Sequence, residues 1–133
     1  METEIKKIFI IKDKKKEKAF LIIREDERSC YLTLSIMDNV IADIVNDDFF
    51  SCFSELRRQI PEMIFLCKGA KINVYPSRMS RQMSRGMTAY ECTKGKPALR
   101  ENIVHIFDYD DENISSTPEE QERYHKEWLM SIT

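Results

Sequence analysis

Three arginines, Arg78, Arg81 and Arg85, fall within about 60° of one another on a helical wheel. Forked guanidinium donors gathered on one face could grip phosphates or carboxylates. The segment that carries them opens with Pro76, which suits a first helical position, and is followed by Gly86, which suits the residue after a helix end. This predicts a helix of under three turns over Pro76 to Arg85. Met79, Met83 and Met87 cluster opposite the arginines, so the methionine side is expected to pack and the arginine side to be available. Lys68, Lys71, Lys94 and Lys96 lie on adjoining segments. The complementary charges are Asp108, Asp110, Asp111 and Glu112, which could face a partner or neutralise the arginine face within the fold.

Other chemistries lack their residues. Metal sites need ligands at short fixed spacings, and Glu122-x-x-His125 occurs once with no C-x-x-C beside it, so no metal is expected. Gly69, Gly86 and Gly95 are too far apart for a phosphate-cradling loop or a dinucleotide fingerprint. There is no G-x-S-x-G elbow, and nothing selects a Cys–His pair from Cys30, Cys52, Cys67 and Cys92 with His105 or His125. His105 sits in an apolar strand, where a polar neighbour is expected to satisfy it, and His125 reads as a surface helix residue. An enzyme would have to bring Tyr75, Arg81 and His105 into one cleft. The expectation is therefore no catalysis and no cofactor.

Elements that would position these groups follow from periodicity. Residues 5–11, 19–24 and 29–36 are rich in β-formers and separated by polar turns, predicting an antiparallel meander, with 40–44 as a fourth strand after an Asp38-Asn39 turn. Asn46-Asp47-Asp48 supplies side-chain acceptors for a helix start, and Phe49, Phe53, Leu56 and Ile60 then recur on one face until Pro61. Met63–Cys67, Met87–Cys92 and Ile103–Phe107 read as further strands. Thr117, Pro118 and Glu120 open a last helix, docked through Tyr124, Trp128 and Met130. The expected core is Ile8, Ile10, Phe20, Ile22, Leu32, Leu34, Phe49, Phe53, Leu56, Ile64, Leu66, Met79, Met83, Tyr90, Val104, Ile106 and Trp128.

These elements make a single α+β domain over residues 1–133, with an antiparallel sheet of five or six strands packed against two or three helices. A chain of 133 residues with 42% apolar and 33% charged side chains is of one-domain size and can bury a core. No apolar run approaches the roughly 18 to 20 residues that span a bilayer, and Met1-Glu2-Thr3-Glu4 opens no basic, then apolar, leader. Four well-spaced cysteines in apolar surroundings fit buried reduced thiols, so a cytoplasmic location is expected. The net charge of −2 conceals +7 over residues 68–100 and −7 over residues 101–133.

The run Asp47-Asp48-Phe49-Phe50 through Leu56-Arg57, then Leu66-Cys67-x-Gly69-Ala70, then Val74-Tyr75-Pro76-Ser77-x-Met79-Ser80-Arg81-x-Met83-x-x-Gly86-x-x-Ala89-Tyr90, and finally Val104-x-Ile106-Phe107-Asp108 resembles small bacterial immunity proteins of contact-dependent growth inhibition and related polymorphic toxin systems. The likeness spans about residues 45–108 and departs at Arg85, where a small residue is expected. It implies a stoichiometric inhibitor, an antitoxin in the broad sense, that binds a cognate toxin domain, commonly a nuclease, and occludes its active site. An acidic inhibitor can cover a basic nuclease site, with charge steering raising the on-rate. Asp108, Asp110, Asp111, Glu112, Arg78, Arg81 and Arg85 are then the candidate partner-binding residues. The alternative is a nucleic-acid-binding module using the Arg78/Arg81/Arg85 face, against which stand the acidic pI and the lack of an aromatic platform.

Overall fold

A computed structural model describes residues 2–133. Its first four strands form the expected meander: β1 (Thr3–Lys12), β2 (Lys15–Glu25), β3 (Cys30–Ile36) and β4 (Asn39–Asn46), all antiparallel. Residues 26–29 join β2 to β3, and two-residue turns at Asp13-Lys14 and Met37-Asp38 join β1 to β2 and β3 to β4; all four of these turn residues take positive φ. That conformation lets a tight hairpin match the right-handed twist of its strands. Asn39 therefore opens β4 instead of ending the turn. β5 (Ile64–Phe65) pairs with β1 at the other side, completing a sheet of order β4-β3-β2-β1-β5.

Helix α1 (Phe49–Gln59) begins where the sequence indicated, with Asp48 as its cap, and packs on β3 and β4. Beyond β5 the chain forms a second sheet of order β6-β7-β8, from β6 (Val74–Tyr75), β7 (Thr88–Glu91) and β8 (Ile103–His105). Helix α2 (Arg78–Met83) lies between β6 and β7 in sequence, and α3 (Pro118–Ser131) packs on β6 and α1. Thr117 caps α3 through the Glu120 amide, and the Glu120 carboxylate accepts from the Ser116 amide one residue earlier than a capping box requires. Gly69 is fixed by close approach: a Cβ there would stand 2.8 Å from the Ile106 Cβ.

The core departs from expectation in four places. In β2 the residues facing α1 are Ala19, Leu21 and Ile23, while Phe20 is exposed and Ile22 half-buried on the opposite face. The run Ala-Phe-Leu-Ile-Ile is apolar at both parities, so alternation alone could not choose; register does, placing Leu21 opposite Leu34 and Ile23 opposite Leu32. In α2 the expected packing fails: Met79 and Met83 are 69% and 82% exposed, while Arg81 is drawn toward the protein and Arg78 stays exposed. The helix is also shorter than Pro76–Arg85, starting after its cap Ser77 and ending before Ser84. Ile64 is exposed because β5 has only two residues and turns Phe65 inward. Tyr90 and Val104 are half-buried.

All four cysteines are buried and free. Burial pushes the Cys52 and Cys67 thiols up to about 12, and those of Cys30 and Cys92 to about 11. Among the described residues no helix is long and apolar enough to cross a membrane.

One polar residue of α1 also faces inward. Arg57 is 7% exposed; its Nη1 donates to Gln121 Oε1 at 2.8 Å, and its Nη2 donates to the Ser115 carbonyl and hydroxyl at 2.9 and 2.8 Å. Gln121 Nε2 donates in turn to the Gly69 and Lys71 carbonyls at 2.8 and 2.7 Å, and Ser115 Oγ to the Ala70 carbonyl. Burial lowers the Arg57 pKa to about 10, still well above neutrality. Arg57→Ala would leave buried acceptors without donors and open a cavity, with an expected loss of about 3 kcal/mol of unfolding free energy. Urea denaturation checks this, and Arg58→Ala, an exposed neighbour, is expected to stay within about 1 kcal/mol.

Candidate functional site

The arginine face and the acidic stretch do not meet as a pair. Each is engaged elsewhere. Arg81 Nη1 donates to Asp48 Oδ2 at 2.7 Å and to Ser51 Oγ at 3.0 Å. Asp48 is the α1 cap, accepting from the Ser51 amide at 2.7 Å and the Ser51 hydroxyl at 2.9 Å. The α1 start is held further by the Phe49 amide, which donates to the Arg85 carbonyl at 2.6 Å. Gly86, at φ +78°, sits so close that an added Cβ would stand 2.8 Å from Asp48 Oδ1. Arg85 itself takes φ +54°, the left-handed region a small residue enters at less cost, and its guanidinium donates to the Asp26 carbonyl. Arg78 is exposed, with no ion pair among the described residues.

The acidic stretch is held by lysines. Asp108 lies 3.5 Å from Lys6 Nζ, and Asp110 takes Lys68 and Lys71 at 3.1 and 2.8 Å. Burial alone would raise the Asp110 carboxyl, but the Lys71, Glu112 amide and Lys68 hydrogen bonds outweigh it and hold the group well below the usual carboxylate range. Asp111 accepts from the Tyr109 hydroxyl at 3.2 Å, and Glu112 is exposed. Of the candidate partner-binding residues, Arg78, Asp111 and Glu112 retain the most freedom. Arg81 and Asp110 brace the fold.

Two hollows meet at Tyr75. One, of about 210 Å³, is lined by Phe50, Ser51, Ser54, Arg58, Arg81 and Glu122 as well as Tyr75. The other, of about 250 Å³, lies between α3 and the second sheet. His105 lines neither: its Nδ1 accepts from the Phe107 amide at 3.3 Å. The histidine against Tyr75 is instead His125, stacked at 4.3 Å between ring centroids and 22° between planes, with Trp128 on it at 5.5 Å and 26°. His125 is thus half-buried, and not the surface residue its helix suggested. The signal was legible: Gln121, His125 and Trp128 recur at i, i+4 and i+7 on one face of α3. Among the described residues no group of three or more His, Cys, Asp or Glu is placed to hold a metal ion.

A third surface was missed. The face of the first sheet turned away from α1 carries Ile5, Phe20, Ile22, Tyr31, Val40 and Val45, with Val40 67% and Val45 56% exposed. Register sets Ile5 beside Ile22, Lys7 beside Phe20, Arg24 beside Tyr31 and Tyr31 beside Val45. The signal was the doubly apolar β2 run. Such a strand has something to show on both faces.

Two outcomes are expected from this geometry. Asp48→Ala removes the α1 cap and strands Arg81, lowering stability by about 2–3 kcal/mol, whereas Asp48→Asn keeps an acceptor and loses about 1 kcal/mol; thermal or urea unfolding separates them. Burial, helped by the Arg81 charge, lowers the His125 pKa below its ordinary 6.5. The unfolded imidazole then takes up a proton that the folded one refuses, so stability falls as pH drops below about 6.5 and is flat above. His125→Phe is expected to flatten that slope between about pH 7 and 5.5, as read from unfolding midpoints. No family model and no curated protein matches this sequence.

Proposed function

We propose that this chain is an immunity protein that binds and neutralises a cognate toxin domain, with a nuclease as the leading class, and that the outward face of the first sheet makes the contact. The observation that supports this is the uncovered apolar face of Ile5, Phe20, Ile22, Val40 and Val45 on a rigid four-strand meander. Exposed apolar side chains of that kind, interspersed with polar and charged ones, suit protein–protein contacts. A preorganised sheet also limits the ordering cost of association. Lys7, Lys18 and Arg24 stand on the same face with Asp43 the one acidic side chain among its ladder partners, so the fitting toxin surface is apolar with a carboxylate-rich rim. The resemblance over residues 45–108 supplies the class of partner, and the sheet supplies the surface.

Co-expression with toxin domains from the same locus tests this. The expected result is retention of one toxin on the tagged protein and rescue of growth. Phe20→Glu at the centre of the face is expected to weaken that binding at least about 30-fold, as for a hot-spot residue, with unfolding midpoint unchanged. Wild-type binding by Phe20→Glu and Val45→Glu would remove this face from the interaction. Retention of no toxin would sink the immunity reading itself.

A second reading has its own observation. Lys7, Lys12, Lys14, Lys15, Lys16 and Lys18 all lie on the β1–β2 hairpin, and none forms an ion pair among the described residues. A cationic hairpin of this kind suits a polyanion, better than the arginine face whose Arg81 and Arg85 are already engaged. Heparin retention that falls steeply with salt, and is lost on replacing Lys14, Lys15 and Lys16 by Gln, would favour nucleic acid over a toxin.

A further inference from the structure

We propose that the hollow at the end of α1, bordered by β5 and by Ser115-Ser116, binds a small monoanion: a carboxylate that carries a short apolar tail. Arg57, Ser115 and Ser116 form its polar side and Met63, Ile64 and Phe65 its apolar side, around about 240 Å³. Arg57 is what points to a ligand. The described residues include two deeply buried cations, Arg57 at 7% and Lys71 at 6% exposure. Lys71 has the carboxylates of Glu91 and Asp110, each at 2.8 Å, whereas no carboxylate among those residues pairs with Arg57. A buried charge without a counter-charge is the exception in protein interiors. The two Nη groups of Arg57 donate to neutral oxygens of Gln121 and Ser115, and Nε has no acceptor in the chain. Nε is not sealed in either: the sealed side-chain atoms that lack a partner are Arg24 Nε, Asn73 Oδ1 and His125 Nδ1. The guanidinium rests on Ser115, itself a wall of the hollow, so the charged end of the side chain borders the space.

Charge and size narrow the class. Burial lowers the Arg57 pKa only to about 10, so the group offers a full positive charge at neutral pH. Glu62 stands exposed on the same hollow and repels a second negative charge, which favours a monoanion over a phosphate dianion. A carboxylate has acceptors for both Nε and a hydroxyl. Ser116 supplies that hydroxyl: its amide donates to Glu120 Oε1, and its Oγ is engaged by nothing in the chain. Opposite them Met63 and Phe65 are buried and Ile64 is 43% exposed, an apolar side that a hydrocarbon tail would cover. The volume exceeds the roughly 150 Å³ that takes a benzene ring, so a branched four-carbon tail has room. Two sources carry this chemistry, a free short-chain acid and the C-terminal leucine or valine of a peptide. The site lies apart from the sheet face proposed for the toxin, so the two readings stand or fall separately.

Proton–nitrogen NMR of the full chain reads the site directly, through the Arg57 Nε–H signal, assigned by its loss in Arg57→Lys, and through the Ser115 and Ser116 amides. Titration with sodium isovalerate at constant ionic strength is expected to move these signals saturably, and the neutral isovaleramide is expected to leave them in place. N-acetylleucine titrated in parallel separates the sources: tighter binding than isovalerate assigns a peptide terminus, weaker binding a free acid. Ser116→Leu fills the hollow and removes the hydroxyl at an exposed position, and is expected to weaken isovalerate at least about 10-fold with an unchanged unfolding midpoint. Glu62→Gln removes the opposing charge and is expected to tighten isovalerate about 2- to 5-fold, a gain that a purely structural Arg57 would not produce. The proposal is overturned if neither acid moves the signals saturably, if the amide moves them equally, or if affinity is unchanged in Ser116→Leu and Glu62→Gln.

Discussion

A guanidinium without a carboxylate holds the two halves of this molecule in register. Arg57 enters the interior from α1, and its charge is met only by neutral acceptors: the Gln121 side chain and the Ser115 carbonyl and hydroxyl. Removing a cation from water is expensive unless its hydrogen bonds are made in good geometry. That requirement constrains everything near it. Gln121 must point inward from α3, and its amide must reach the backbone at Gly69 and Lys71, which fixes the stretch between the two sheets. The aromatic contacts of Phe53 with Phe65 and Phe107 close around the same point.

Much of this architecture was legible in the residues. The Asp48 cap, the Phe49–Phe53–Leu56 stripe and Pro61 define α1 locally, because capping and periodicity are properties of adjacent residues. The meander was legible for the same reason. The facing of β2 was not, since Phe20 and Leu21 are equally apolar and only pairing with Leu34 decides. Nor was the orientation of α2. Packing methionine and exposing arginine is the ordinary preference, but Asp48 and the rings of Phe50 and Tyr75 offer Arg81 a charge partner and aromatic faces within 6 Å. Asp48 and Phe50 come from a distant part of the chain. Arg57 escaped for the same reason, since its partner Gln121 is 64 residues away, whereas His125 was legible from its place on the Gln121–Trp128 face of α3.

The segment that carries the family resemblance has architectural work to do. Asp48, Ser51, Arg81 and Gly86 form one knot at the α1 start, and Gly69 lets the chain pass against Ile106. The residues at these positions have a structural reason of their own, the need to hold α2 on α1. The exposed sheet face and the lysines of the first hairpin lie outside that knot.

The thiols carry a different lesson. Each of the four sulfurs is enclosed by the folded chain and held protonated far above neutrality, so peroxide or glutathione disulfide in the surroundings meets no thiolate to attack. In the native molecule these thiols are therefore shielded from exchange and oxidation. Four free thiols thus serve this chain as small apolar filling of its interior.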